Sequence, residues 1–140
     1  MSQPAVPTGF APHYRPSPIT APWEPIYSKH TDTAVLLGLR VDTPHTNSRG
    51  LAHGALITAL ADNAMGLSCG LELDNASRLV TVNLGVDFIS SARIGQWLQV
   101  ETQVIRTGGT LCFAQCAVTA DGQICARGNG TFRALRPKPG

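Results

Sequence analysis

The chain has 140 residues, 43% of them hydrophobic and only 14% charged, with a formal net charge of +2. That length suits one domain with its own core, and the low charge implies surface hidden in an oligomer. With no Lys/Arg run and so small a net charge, nothing argues for nucleic acid; the balance would tolerate an anionic ligand and predicts little more.

Residues 1–26 hold seven of the ten prolines, which excludes a regular helix or central strand there. The expected division is a Pro-rich leader over residues 1–30 and one folded domain over residues 31–136. The leader is expected to lie against the body, anchored by Phe10, Tyr14, Trp23 and Tyr27. It has no apolar signal segment, and Arg15 is its one Lys or Arg before Lys29, so the expectation is a cytoplasmic protein. No stretch is expected to span a membrane.

A first strand is expected near Leu37–Thr43, ended by Pro44. A long helix follows, from near His53–Gly54 to near Gly70, and then four strands joined by short turns. In "LVTVNLGVDFI", Val80, Val82, Leu84, Val86 and Phe88 share one face at period two, and Thr81, Asn83, Gly85 and Asp87 share the other. "WLQVETQVIR" alternates similarly. "RTGGT" leads by a hairpin turn into "LCFAQCAVTA", and Asp121-Gly122 suits the positive φ angles of a tight turn into "ICARGNGTFRAL". The order predicts an α+β fold, an antiparallel sheet with a single long helix packed on it. Cys69, Cys112, Cys116 and Cys125 form no C-x-x-C pair. Four residues along a strand span about 13 Å, too far for Cys112 and Cys116 to share a metal or a disulfide. The four are expected to be reduced thiols packed as small hydrophobes, with no metal site.

The helix segment poses the functional question. Between Arg49 and Glu72 the one charged side chain is Asp62. A stripe of Leu56, Leu60, Ala64 and Leu67 is expected to face the sheet. Asp62 falls nearly opposite, beside Thr58, Met65, Gly66 and Cys69, where a surface helix would show Lys or Glu. The helix is therefore expected to be enclosed by the sheet on one side and a partner subunit on the other. A buried carboxylate must be hydrogen-bonded or protonated, so Asp62 is either a satisfied core polar group, a role Asn63 could share, or a working one. Ahead of the helix, Asn47-x-x-Gly50-x-x-His53-Gly54 is a polar loop running into a helix N-terminus. Its unpaired N–H groups and dipole offer an oxyanion site. Asp62 lies about 12 Å further along the helix, too far to serve that N-terminus in the same chain. A two-fold dimer with antiparallel helices brings one chain's N-terminus near the other chain's Asp62.

At these residues the chain resembles the hotdog-fold acyl-CoA thioesterases of the phenylacetate-pathway (PaaI-like) type. "NSRGLAHGALITALADNAMG", then "VTVNLGVDFISSARIGQWLQV" and "DGQICARGNGTFR" carry the resemblance, over roughly residues 35–134. The family pattern is a loop Asn, a Gly, His-Gly-Gly, then a helix Asp or Glu; this chain has Asn47, Gly50, His53-Gly54-Ala55 and Leu60-Ala61-Asp62, departing at Ala55. The resemblance implies a hotdog fold, an antiparallel sheet wrapped around one long central helix. It implies hydrolysis of an acyl- or aryl-CoA to free acid and CoA, with Asp62 as general base or nucleophile. The Gly54 amide would polarise the carbonyl, Asn47 would bond the carbonyl or the attacking water, and His53 would order the loop near the thioester. Thr81 would orient Asp62 or the water. The acyl chain would lie near Met65 and Cys69. The CoA phosphates would need a surface cation such as Arg78, with Arg49, Arg106, Arg127 and Arg133 as other choices. No cofactor is implied, coenzyme A being part of the substrate. The expected partners are the acyl-CoA and a second copy of the chain, in a homodimer or homotetramer sharing its active sites, with neither nucleic acid nor membrane. The alternatives are a non-catalytic acyl-CoA-binding or regulatory module, which would need no carboxylate, and an acyl-CoA hydratase or dehydratase.

Overall fold

The computed structural model describes residues 5–73 and 78–135. The chain order gives strands β1 (Ala11–Pro12), β2 (Tyr27–His30) and β3 (Val35–Arg40), helix α1 (Gly54–Glu72), then β4 (Arg78–Phe88), β5 (Trp97–Thr107), β6 (Leu111–Ala120) and β7 (Gln123–Leu135). All pairings are antiparallel, in one seven-stranded sheet of order β1-β2-β3-β5-β6-β7-β4. The expected α+β architecture is found: the sheet wraps α1, which packs across β3 to β7. The turn between β6 and β7 is the expected Asp-Gly turn, with φ of 48° at Asp121 and 83° at Gly122.

The helix is 19 residues long. By length and composition alone it is apolar enough to cross a membrane, although no stretch of the sequence is expected to approach that length. Its packing explains the composition: Ile57, Ala61, Ala64, Met65 and Cys69 are buried against the sheet, at 3% exposure or less. This buried arc is rotated by roughly a quarter turn from the expected Leu56–Leu60–Ala64–Leu67 stripe. Leu56 and Leu60 are still covered, but Leu67 and Leu71 are half-exposed. Small side chains let the wrapped sheet approach the helix closely, and they, more than the leucines, mark the face that meets it.

The leader is tied into the sheet. Prolines confine β1 to two residues at its edge, but Tyr27–His30 lie beyond them and pair with β3 from Tyr27↔Gly38 to His30↔Val35. Trp97, 7% exposed, is the main anchor. Phe10 meets it edge-on at 5.2 Å and Tyr27 at 5.9 Å between ring centroids, and the Arg40 guanidinium lies 5.5 Å over it. A second anchor joins leader to loop. His45, 3% exposed, accepts from the Asp42 N–H through Nδ1 at 2.9 Å. Its proton is therefore on Nε2, which donates to the Trp23 carbonyl at 2.8 Å.

Candidate active site

The loop before α1 is built by its own polar groups. Asn47 Oδ1 accepts from the N–H of Arg49 at 2.9 Å and of Leu51 at 3.2 Å, and Gly50 takes a positive φ of 74°. Asn47 thus shapes the turn through its carboxamide oxygen. The His53 N–H donates to the His45 carbonyl at 2.9 Å, which links the loop to the leader through the His45–Trp23 bond. His53 caps the helix, its Nδ1 accepting from the Ala55 N–H at 2.9 Å. That leaves the His53 proton on Nε2 of an exposed ring. Gly54 opens α1, and its N–H, the first of the helix, has no intrahelical acceptor. A Cβ there would sit 3.1 Å from Phe88 Cζ, so the glycine lets the Phe88 ring approach the start of the helix closely.

Two turns on, Asp62 is half-buried. Thr81 Oγ1 donates to its Oδ1 at 2.7 Å, a short charge-assisted bond. Thr58, the nearest helical hydroxyl, is instead committed to the Gly54 carbonyl at 2.7 Å. Asp62 is therefore not part of a closed core polar network. It stands on the wall of an open cleft of about 900 Å³ whose other walls include Leu67, Leu79, Arg78 and Phe132. The cleft's remaining side comes from the leader, residues 13–17, together with His30.

Thr81 reaches Asp62 because β4 does not keep a constant face. Thr81 is level with buried Phe132 of β7, Asn83 with Thr131 and Leu84 with Gly130, with a register shift between Thr81 and Asn83. That bulge inserts one extra residue and inverts the alternation. Leu79 and Thr81 before it, and Leu84 and Val86 after it, all turn toward the helix side. The expected single apolar face is thereby corrected: Val80 and Val82 are 43% and 57% exposed.

Met65 and Cys69, expected beside the acyl chain, are both at 0% exposure in the core and do not line the cleft. The rotation of the helix turns them to the sheet and leaves Asn63, Gly66, Leu67 and Gly70 on the open side. Arg78 stands at the cleft. Arg127 is engaged with Asp87 at 3.0 Å on the exposed surface. Asn47, His53 and Gly54 gather at the helix start and are absent from the Asp62 cleft, as the helical rise of about 12 Å between Gly54 and Asp62 requires. One chain thus keeps the N–H end of α1 and the Asp62 carboxylate apart. Sequence reasoning missed His45 and His13, the first bonded to the leader and the second lining the cleft. The capping pattern Asp42-Thr-Pro-His45 was the available signal for His45.

A family model described as the thioesterase superfamily matches residues 49–126. A putative esterase of Pseudomonas aeruginosa is 34% identical over 128 residues, covering 91% of this chain and 96% of that protein. Human acyl-coenzyme A thioesterase 13 is 31% identical over 101 residues, 69% of this chain and 70% of that protein. Among solved structures, the phenylacetic acid degradation protein PaaI of Thermus thermophilus superposes with a TM-score of 0.71 at 20% identity, over 79% of this chain and 93% of that one.

Proposed function

The chain belongs to the thioesterase superfamily, and from that premise we propose that it hydrolyses acyl- or aryl-CoA thioesters to free acid and CoA, with Asp62 as the working carboxylate. The acyl-CoA substrate class draws support from the human relative's name. The observation that carries the residue assignment is the Thr81–Asp62 bond at the wall of an open cleft. A carboxylate held by one hydroxyl keeps lone pairs free to take a proton from water or to attack directly. Electrons pass from the attacking oxygen to the thioester carbon, the carbonyl oxygen becomes an oxyanion, and its collapse expels the CoA thiolate, which takes up a proton that originates from water; where Asp62 itself attacks, water then cleaves the acyl–Asp62 anhydride, which releases the free acid and restores the carboxylate.

The oxyanion needs donors, and the Gly54 N–H at the helix N-terminus is the group suited to it. His53 Nε2–H stands beside that end as a further donor. Asn47 acts chiefly by holding the loop that presents them. Because the two half-sites of one chain lie about 12 Å apart, the donor end of one subunit serves Asp62 and Thr81 of another. The active unit is thus a homodimer or a larger assembly containing that dimer.

Free thiol release from an acyl-CoA panel, followed with a thiol dye, tests this reading. The protein's own thiols will not interfere: all four cysteines are free and buried. Burial raises the pKa of the thiols of Cys69, Cys116 and Cys125, that of Cys116 to about 11. Thiol release with free acid as coproduct supports the reading. Consumption of an enoyl-CoA without thiol release, giving a product heavier by one water, would instead favour the hydratase.

A further inference from the structure

Resting on the thioesterase reading, we propose that the end of the cleft remote from Asp62 binds an anionic group at the tip of a short acyl chain, through Arg15 of the leader and Arg78 of β4. The leader's position there is fixed by several contacts. The Val35 N–H donates to Ser68 Oγ at 3.0 Å, which sets the start of β3 beside the C-terminal half of α1. His30 pairs with Val35 in register, so it sits at that same end. Tyr14 packs at a tilt against His30 at 5.0 Å and His13 edge-on against Tyr14 at 4.9 Å, while the His13 N–H donates to the Ile26 carbonyl at 2.8 Å. Residues 13–17 are thereby held as a wall of the cleft.

Between this wall and Asp62 lie Leu67, Leu71, Leu79 and Phe132, with Gly66 and Gly70 leaving room and Asn63 as a polar neighbour of Asp62. Among the described residues that line the cleft, the one carboxylate is Asp62, and the two permanent cations are Arg15 and Arg78. Neither arginine has an ion-pair partner among the described residues, where the one salt bridge is Arg127–Asp87. Two guanidiniums at one end of the cleft, with no ion-pair partner among the described residues, suit a carboxylate, which the planar fork can bind through two hydrogen bonds.

Length decides between the two anions an acyl-CoA could offer. Arg78 is three residues from Thr81, about 10 Å along the strand. The first phosphate of CoA lies some thirteen bonds from the sulfur, about 15 Å when extended at the reach per bond of a peptide chain. An acyl chain of about five to seven carbons ending in a carboxylate spans the shorter distance once contact separations at both ends are included.

The test compares adipyl-CoA with hexanoyl-CoA, matched in length and differing in the distal carboxylate. The wild-type kcat/KM should favour adipyl-CoA by about tenfold, and Arg15→Ala/Arg78→Ala should remove most of that ratio. The same ratio and the same loss should appear with the corresponding pantetheine thioesters, which carry no phosphate. A preference for hexanoyl-CoA, or a ratio the double variant leaves intact, overturns the anion site. So does a loss shared by both CoA esters and absent from both pantetheine esters, since the arginines would then be reading the phosphates. If Asp62-dependent hydrolysis of hexanoyl-CoA persists while the preference is missing, the anion site alone fails. If neither ester is hydrolysed in an Asp62-dependent way, the thioesterase reading fails with it.

Discussion

Thr81 Oγ1 donates a 2.7 Å hydrogen bond to Asp62 Oδ1, and it does so from a strand position that strict alternation would have turned away from the helix. The bulge between Thr81 and Asn83 re-aims the hydroxyl, as bulges beside functional sites commonly do. If the bond orients the carboxylate, Thr81→Ala should lower kcat about tenfold with little change in KM, the loss of one bond to a charged group. Thr81→Ser should restore most of the rate, because it keeps the oxygen. A Thr81→Ala enzyme with native kcat would show that the bond is incidental.

Gly38 faces Trp97: a Cβ there would lie 2.9 Å from Trp97 Cε2. Gly38→Ala must displace the indole on which Phe10 and Tyr27 pack. An overpacking cost of about 1–3 kcal/mol is expected, seen as a lowered Tm and faster proteolysis within the leader. An unchanged Tm with an unchanged cleavage pattern would show that the leader does not depend on this anchor.

His13 gives the leader a pH dependence of known sign. Burial holds its pKa below the usual 6.5, with the Glu24 carboxylate opposing this and the neighbouring His30 and Arg15 acting in the same direction as burial. A histidine with a depressed folded pKa stabilises the folded state above its unfolded value. That contribution falls away as pH drops from about 6.5 through the folded pKa. Thermal melts should therefore show a loss between pH 7.5 and pH 5 that His13→Gln reduces. Identical pH dependence in the variant would remove His13 from the account.

How much of this was legible in the sequence varies by element. Helix α1 began where the His53-Gly54 pair indicated, because the start of a helix is signalled locally by its cap. Its rotation was not legible: a helix apolar all round gives little directional signal. The leucines therefore suggested one face while Ala61, Ala64 and Cys69 took the sheet. Met65 and Cys69 were assigned to the acyl site for the same reason. On β4 the Thr81–Asp62 pairing was expected, but the face of the strand was wrong. A bulge is set by pairing with β7, and nothing local to "LVTVNLGVDF" announces it. The wall from residues 13–17 depends on long-range contacts with His30 and Ile26, which the proline count could not supply.

The shared site can be tested by complementation. In the single chain β4 is the outer strand of the sheet, with Val82 57% and Phe88 55% exposed, an edge that proteins normally cover. Pairing β4 edges across a two-fold axis would continue the sheet. Helices packed at about 8–10 Å would then bring the two half-sites together. An Asn47→Ala/His53→Ala chain mixed with an Asp62→Ala chain should recover roughly a quarter of native activity, because random exchange makes about half the dimers mixed and each has one intact site. No recovery after exchange confirmed by mass spectrometry, or light scattering that gives a 14.8 kDa monomer, would contradict the arrangement.

The most direct test of the central claim is the turnover of Asp62→Asn on an acyl-CoA that the wild type hydrolyses. The substitution keeps the shape of the side chain and an oxygen that can accept from Thr81, while removing the charge and the basicity. The account predicts a fall in kcat of about a hundredfold or more, the range for a lost general base, with circular dichroism and oligomeric state unchanged. Near-native turnover by Asp62→Asn would contradict it.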